Sequence, residues 1–301
     1  MTAIVLGLTG AIFWGSADFA ARFASRRVGA YRTLFFMQLF GFLALSIHLK
    51  LTYGFASVAA FGWKPWILAV VAGLLNVAAS LALYYSFQVG VMTIVAPVSS
   101  AYPALTVALS LLSGERLEPL RAAGLALTLL GVVLAATSFA PVDPVSSGTG
   151  GSLEAHVSSL VHVSSKGVGW AIFAGITFGV LFWFLGYHVV PLVGSAVSVW
   201  VIRLTAFSTL LLCAAPARQS IRLPRGAVWW LLLAVAILDT AAFIANNAGL
   251  TTGQVSVVSV LASLYGAVTV LLSWIFLREK LERSQWLGVL LIFAGIVMVS
   301  L

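Results

Sequence analysis

The chain has 301 residues, 61% of them hydrophobic and only 8% charged, with a formal net charge of +8. So much apolar side chain excludes a soluble domain and points to a polytopic membrane protein, while continuous rather than alternating apolar runs exclude a β-barrel. Lys and Arg sit at the ends of those runs, where they act as topology signals, so the positive charge implies no nucleic-acid groove.

Apolar stretches of roughly 20 residues, the length a helix needs to cross the hydrocarbon core, predict an all-α protein with ten transmembrane helices. They fall at 3–22, 31–50, 65–87, 92–112, 120–138, 168–187, 192–214, 226–250, 254–276 and 284–300. The first span has no preceding basic region and no small-residue cleavage site, so it is expected to stay in the protein. It combines a small-residue face, Gly7, Ala11 and Gly15, with Trp14 and Asp18 four residues apart. The third carries Asn76, Ser80, Tyr84 and Gln88 at steps of four, along one helical face. In the fourth, Ser99, Pro103, Thr106 and Ser110 share a face, fitted either for close helix packing or for a site. Pro97 and Pro103 remove backbone hydrogen bonds there, which either frees carbonyls beside a cavity or simply kinks the helix.

The one long connection, 139–167, is rich in Pro, Ser and Gly and reads as a flexible linker between units 1–138 and 168–301. Beyond it, the sixth span repeats the small-residue face with Ala171, Gly175 and Gly179, beside Trp170, Phe178 and Trp183. Close approach at these glycines leaves aromatic rings to line a gap, with an interfacial aromatic belt as the alternative. The seventh span buries Arg203, which either holds a substrate carboxylate or pairs with Asp239 or Asp18. In the eighth, Asp239, Phe243, Asn246 and Asn247 occupy the places of the third span's polar stripe, and the ninth offers Ser256, Ser259, Ser263, Gly266 and Ser273. His48 and His188 lie near span ends and are expected at the interface; Cys213 is the only cysteine, so no intramolecular disulfide forms.

The two units are one pattern written twice. At a constant offset Gly90 matches Gly253, Ser100 matches Ser263, Tyr102 matches Tyr265, Thr106 matches Thr269 and Ser110 matches Ser273. After one inserted residue Glu115 matches Glu279, Leu117 matches Leu281, Glu118 matches Glu282, Gly124 matches Gly288 and Gly131 matches Gly295. Duplicated helical units are a recurring signature of transporters, whose halves rock about a shared midplane site. Enzyme chemistry finds no support: there is no HExxH pair, no GxSxG, no P-loop and no His cluster at ligand spacing, so neither a metal nor another cofactor is expected. A channel, the competing class, needs a filter-like segment, and none stands out.

Phe13-Trp14-Gly15, the run Ala96 to Pro103, the Gly114-Glu115-Arg116-Leu117 end and its second copy, Arg278-Glu279-Lys280-Leu281, together resemble the drug/metabolite transporter superfamily, in particular the bacterial ten-helix branch with two EamA-type repeats. The resemblance implies two inverted five-helix repeats in the bacterial inner membrane around a cavity lined by helices one, three, four, six, eight and nine. It also implies cytoplasmic termini. Charge points the other way: Arg22, Arg26, Arg27, Arg32, Lys166, Arg218, Arg222, Arg225, Arg278, Lys280 and Arg283 fall on odd-numbered connections, against Lys50, Lys64, Arg116 and Arg121 on even ones. The positive-inside rule then places both termini outside.

Within that family the chain is most similar to exporters of amino acids, aromatic ones included. The expected partners are a small-molecule substrate, the lipid bilayer and, through Asp18 or Asp239, a proton as coupling ion; facilitated diffusion stays open beside it. Trp14, Tyr84, Tyr102, Trp183 and Tyr265 are expected to offer flat apolar contacts with polar tips. Asn76, Ser80, Gln88, Ser99, Asn246, Asn247 and Ser263 are the expected polar contacts, and a lipophilic or quaternary cation is the runner-up substrate.

Overall fold

The computed structural model describes residues 1–52, 62–90, 92–136, 167–252, 254–277 and 283–300, and among them every regular element is helical. The expected linker falls outside the described residues apart from Gly167, as do Gly253 and the 278–282 end of the second copy. In chain order the helices are α1 (Thr2–Val28), α2 (Ala30–Thr52), α3 (Trp63–Val89), α4 (Met92–Ser100), α5 (Pro103–Leu112), α6 (Pro119–Ala136) and α7 (Val168–Phe184). A π-helical turn, Leu185–Val189, leads into α8 (Val190–Val193), followed by α9 (Ser195–Ala214), α10 (Val228–Leu250), α11 (Val255–Ala262), α12 (Tyr265–Leu277) and α13 (Arg283–Ser300).

Among the described residues six helices are long and apolar enough to cross a membrane: α1, α2, α3, the continuous run from α7 through α8, α9, and α10. Shorter apolar helices fill in at Val98–Leu112, Pro119–Gly131, Val255–Thr269 and Trp286–Met298. Their outward faces carry Ile12, Ile67, Ile176, Ile237 and Phe293, all more than half exposed, as helices bathed in lipid require. Between α1 and α2 the chain reverses at Gly29, whose φ of 89° suits a residue without a Cβ, and its amide caps the Ser25 carbonyl.

The expected continuous fourth and ninth spans are each divided. Tyr102 N bonds Ser99 O and Ala104 N bonds Ala101 O, at 3.3 and 3.1 Å. In the other copy Leu264 N bonds Leu261 O and Gly266 N bonds Ser263 O, both at 3.3 Å. These tight three-residue closures break the α ladder at matching places. Pro103 stands at the first break, where it opens α5 with no amide to donate. The second has no proline; there Ser263 Oγ donates to Val260 O at 2.7 Å, a local bond that competes with the helix ladder.

The small-residue faces of α1 and α7 each lie across one of these breaks. A Cβ at Gly15 would stand 2.8 Å from Tyr265 O, and one at Gly179 would stand 2.9 Å from Tyr102 O. Close backbone approach thus brings the two broken helices against the bundle centre. The broader packing exchanges partners in the same way: α1 lies along α10 and α3 along α7, while α2 meets α9 and α6 meets α13.

Candidate functional site

At the centre of the bundle α9 aims a fully buried Arg203 inward. Its Nη1 donates to Gln38 Oε1 at 2.8 Å and its Nη2 is ion-paired with Asp239. Trp14 Nε1 donates to the other Asp239 oxygen at 3.1 Å, and the Phe243 ring lies 5.5 Å from the guanidinium carbon. Both terminal nitrogens of Arg203 are therefore engaged within the bundle, while its buried Nε has no hydrogen-bond partner among the described residues. Gly41 makes room for the cluster: a Cβ there would meet Thr240 Oγ1 at 2.6 Å and Arg203 Nε at 3.1 Å.

Beside this cluster lies a slender chamber of about 40 Å³, room for about three waters. Its walls are Trp14 and Asp18 from α1, Met37 from α2, Asn76, Ser80, Leu83 and Tyr84 from α3, Tyr102 before α5, Phe178 and Phe182 from α7, Asp239 and Phe243 from α10, and Tyr265 from α12. The rings interlock: Tyr102 to Phe182 is 4.9 Å between centroids, Trp14 to Phe182 and to Phe243 5.5 Å, and Tyr102 stacks on Tyr265 at 6.4 Å. Asp18 is buried yet makes no hydrogen bond or ion pair among the described residues. Asn76 Nδ2 is likewise buried without a partner, although Asn76 Oδ1 lies 3.5 Å from Ser80 Oγ.

Of the residues expected at the site, the chamber gathers Trp14, Asp18, Asn76, Ser80, Tyr84, Tyr102, Asp239 and Tyr265. The tyrosines, expected to present polar tips, turn them into protein instead. Tyr84 donates to Met37 Sδ at 2.9 Å and Tyr102 to Ser259 O at 3.1 Å, while the Tyr265 hydroxyl pairs with Ser99 Oγ at 3.3 Å. Ser99 and Ser263 consequently stand one layer behind, each also donating to its own helix.

Gln88, Trp183, Asn246 and Asn247 lie away from the chamber. Twelve residues of α-helix separate Gln88 from Asn76, so its side chain points about 120° round the axis, and its Oε1 accepts the Ala30 amide at 3.0 Å. Asn247 donates to Ser198 Oγ at 2.9 Å and so closes the α9–α10 seam, while Asn246 donates to Asn247 Oδ1 at 3.4 Å within α10 and keeps a buried Oδ1 without a partner among the described residues. Trp183 donates to Ser113 Oγ at 2.8 Å at one end of the bundle. Met37, Leu83 and Phe182 are wall residues that the sequence reading did not select. The repeat register carried the signal for Phe182, which takes the place of Asp18 just as Phe178 takes that of Trp14. Nothing in the pattern of α2 marks Met37.

Glu115, one of the duplicated acids, has a defined place as well. It accepts from Ser256 N at 3.2 Å, from Ser256 Oγ at 3.0 Å and from Tyr187 OH at 3.1 Å. A carboxylate from the opposite half of the chain thus caps the first-turn amide of Ser256 in α11.

A multi-helix membrane bundle with a buried, ring-walled chamber at its centre is the architecture of a transport protein rather than an enzyme. The chain belongs to the EamA-like transporter family, which matches residues 1–137 and again 165–301. An uncharacterized protein of Methanocaldococcus jannaschii is 33% identical over 138 residues, covering 46% of this chain and 98% of that protein. One solved crystal structure shares the fold with a TM-score of 0.74 at 20% identity, covering 99% of this chain and 96% of that one.

Proposed function

We propose that the chain is a secondary transporter that exports small amphipathic amines, aromatic and neutral amino acids foremost, across the plasma membrane. The observation that carries this reading is Asp18, a buried carboxylate without a partner among the described residues, set in a wall of aromatic rings. A carboxylate so placed favours an ammonium group, and the rings favour a flat apolar body. The unpartnered Asn76 Nδ2 is a donor for the carboxylate of an amino acid. A quaternary ammonium is the second reading, since Asp18 and the rings serve it equally well through cation–π contacts. It leaves Asn76 unused.

At about 40 Å³ the chamber is well below the roughly 300–1,000 Å³ of typical ligand pockets, so admission of substrate requires the halves to part. In this proposal residues 1–138 and 168–301 are two inverted five-helix repeats of a ten-helix bundle joined by 139–167, and their relative rotation opens the chamber to one side at a time. The glycine faces of α1 and α7 are the sliding surfaces. Asp18 is the group left to carry a coupling proton, because Asp239 is held by Arg203 and Trp14.

The test is transport of labelled Trp, Phe and Thr against methyl viologen in proteoliposomes, with and without a pH gradient. Saturable movement of an amino acid is the expected result, and acceleration by the gradient identifies proton antiport. Methyl viologen transport alone selects the second reading, and an ion current with no solute movement overturns both.

A further inference from the structure

A second and larger cavity opens on the side of the bundle. It is a groove of about 540 Å³ between α3, α7 and the chain that follows α9, with the α1–α2 turn at its mouth. Ala78, Leu81, Ala82 and Tyr85 of α3 form its floor, and Trp170 and Phe173 of α7 form one wall. Gln88 and Gln219 stand at the mouth, level with the helix ends. From Ala78 to Gln88 the helix rises about 15 Å, half of the roughly 30 Å hydrocarbon core. The groove is one leaflet deep.

Its chemistry changes along that depth. The inner part is apolar, and near the mouth the exposed rings of Tyr85 and Trp170 meet edge to face at 5.3 Å, the amphipathic pair expected at headgroup level. Arg26 and Arg27 lie in the last turn of α1, Arg32 in the first turn of α2, and Arg218 and Arg222 after α9, so five arginines belong to segments that meet at the mouth. Arg32 Nε donates to Arg222 O at 2.6 Å, which ties two sides of the mouth together. Arg218 takes a left-handed backbone, φ 52°, between the lining residues Ala217 and Gln219. Among the described carboxylates, Asp18 and Asp239 lie inside the bundle and Glu115 and Glu118 at its opposite end, so none offsets this charge.

We propose that this groove binds one anionic phospholipid, with its phosphate among Arg32, Arg218 and Arg222 and an acyl chain along Ala78, Leu81 and Ala82 of α3. Basic side chains at a membrane surface select anionic headgroups, while a slot of leaflet depth suits a chain anchored at the interface. The assignment is separate from the transport reading and stands or falls without it.

The experiment is native mass spectrometry of the full chain released from vesicles of phosphatidylglycerol and phosphatidylcholine, equimolar and with identical acyl chains. The wild type is expected to keep one phosphatidylglycerol, in about fivefold or greater excess over phosphatidylcholine. Arg218→Gln with Arg222→Gln should bring the two lipids to parity, and Ala78→Phe, which fills the slot, should lower retention of both. Leu81→Trp serves the same purpose if Ala78→Phe melts below the wild type. Equal retention by the wild type, an excess that survives the double arginine substitution, or retention of labelled tryptophan in place of either lipid overturns the proposal.

Discussion

Asp239 and Asp18 face the same chamber from α10 and α1, in opposite circumstances. One oxygen of Asp239 takes the Trp14 indole and the other takes Arg203, which is itself fixed by Gln38. Asp18, equally inside the bundle, has no such company among the described residues. A buried acid with every oxygen engaged is scaffolding, whereas one without partners is a ligand in waiting. The repeat register sharpens the contrast: Asn76 stands in the place of Asp239, and Phe182 in the place of Asp18. Duplication supplied the backbone, and divergence at these two pairs gave the chamber its asymmetry of charge.

The comparison breaks most violently at Arg203. Arg203→Met strands Asp239 in an apolar interior, a loss of about 3–5 kcal/mol, and most of the protein is expected to fail to fold or to melt far below the wild type in detergent. Arg203→Met with Asp239→Leu removes both charges and should recover much of that loss, as buried pairs replaced by packed hydrophobics commonly do. Melting temperatures of the two variants decide it; a double variant no better than the single would mean that Asp239 does more than balance Arg203.

Asp18→Asn tests the other side. With no partner to strand, the substitution should leave the melting temperature near that of the wild type. Transport of an ammonium-bearing substrate should fall about tenfold or more, the worth of a charge-assisted contact of roughly 1.5–3 kcal/mol. Full transport in proteoliposomes would remove Asp18 from the site. Asn76→Ala removes one hydrogen bond to the carboxylate of an amino acid, so it is expected to lower amino-acid uptake by about tenfold and to spare methyl viologen. Equal loss for both solutes would reduce Asn76 to a packing role.

Helical periodicity identifies a face, and on that basis Trp14, and Asn76 with Ser80 and Tyr84, are legible as chamber residues in the sequence. So were the glycine faces of α1 and α7, because a stripe of small residues needs something large to receive, and here it receives a broken helix. Gln88 shows where the reasoning runs out: steps of four drift about 40° each, and three of them carry a side chain off the face. Partners were not legible. Whether Tyr102 offers its ring or its hydroxyl depends on Ser259 O, far along the chain. Asn247 is polar for the sake of the α9–α10 seam, and a polar residue type alone does not distinguish a seam from a cavity.

The smallest expected effect concerns the two breaks. Pro103 looks indispensable to the first, yet the second forms with Gly266 in the place of the proline. If the proline makes the break, Pro103→Ala should let α4 run into α5 and swing Tyr102 away from Phe182. The second copy argues otherwise, because local serine hydroxyls and the close approach of a glycine face are common to both breaks. Ser99 Oγ takes Ala96 O at 2.9 Å as Ser263 Oγ takes Val260 O at 2.7 Å, and Gly179 crowds Tyr102 O as Gly15 crowds Tyr265 O. A proline at the first helical position also gives up an amide that has little to bond. Pro103→Ala is therefore expected to change stability by less than about 1 kcal/mol and to keep transport within about twofold, read from melting temperature and uptake together. A large loss of uptake in a folded variant would show that proline, not the shared packing, holds the first break open.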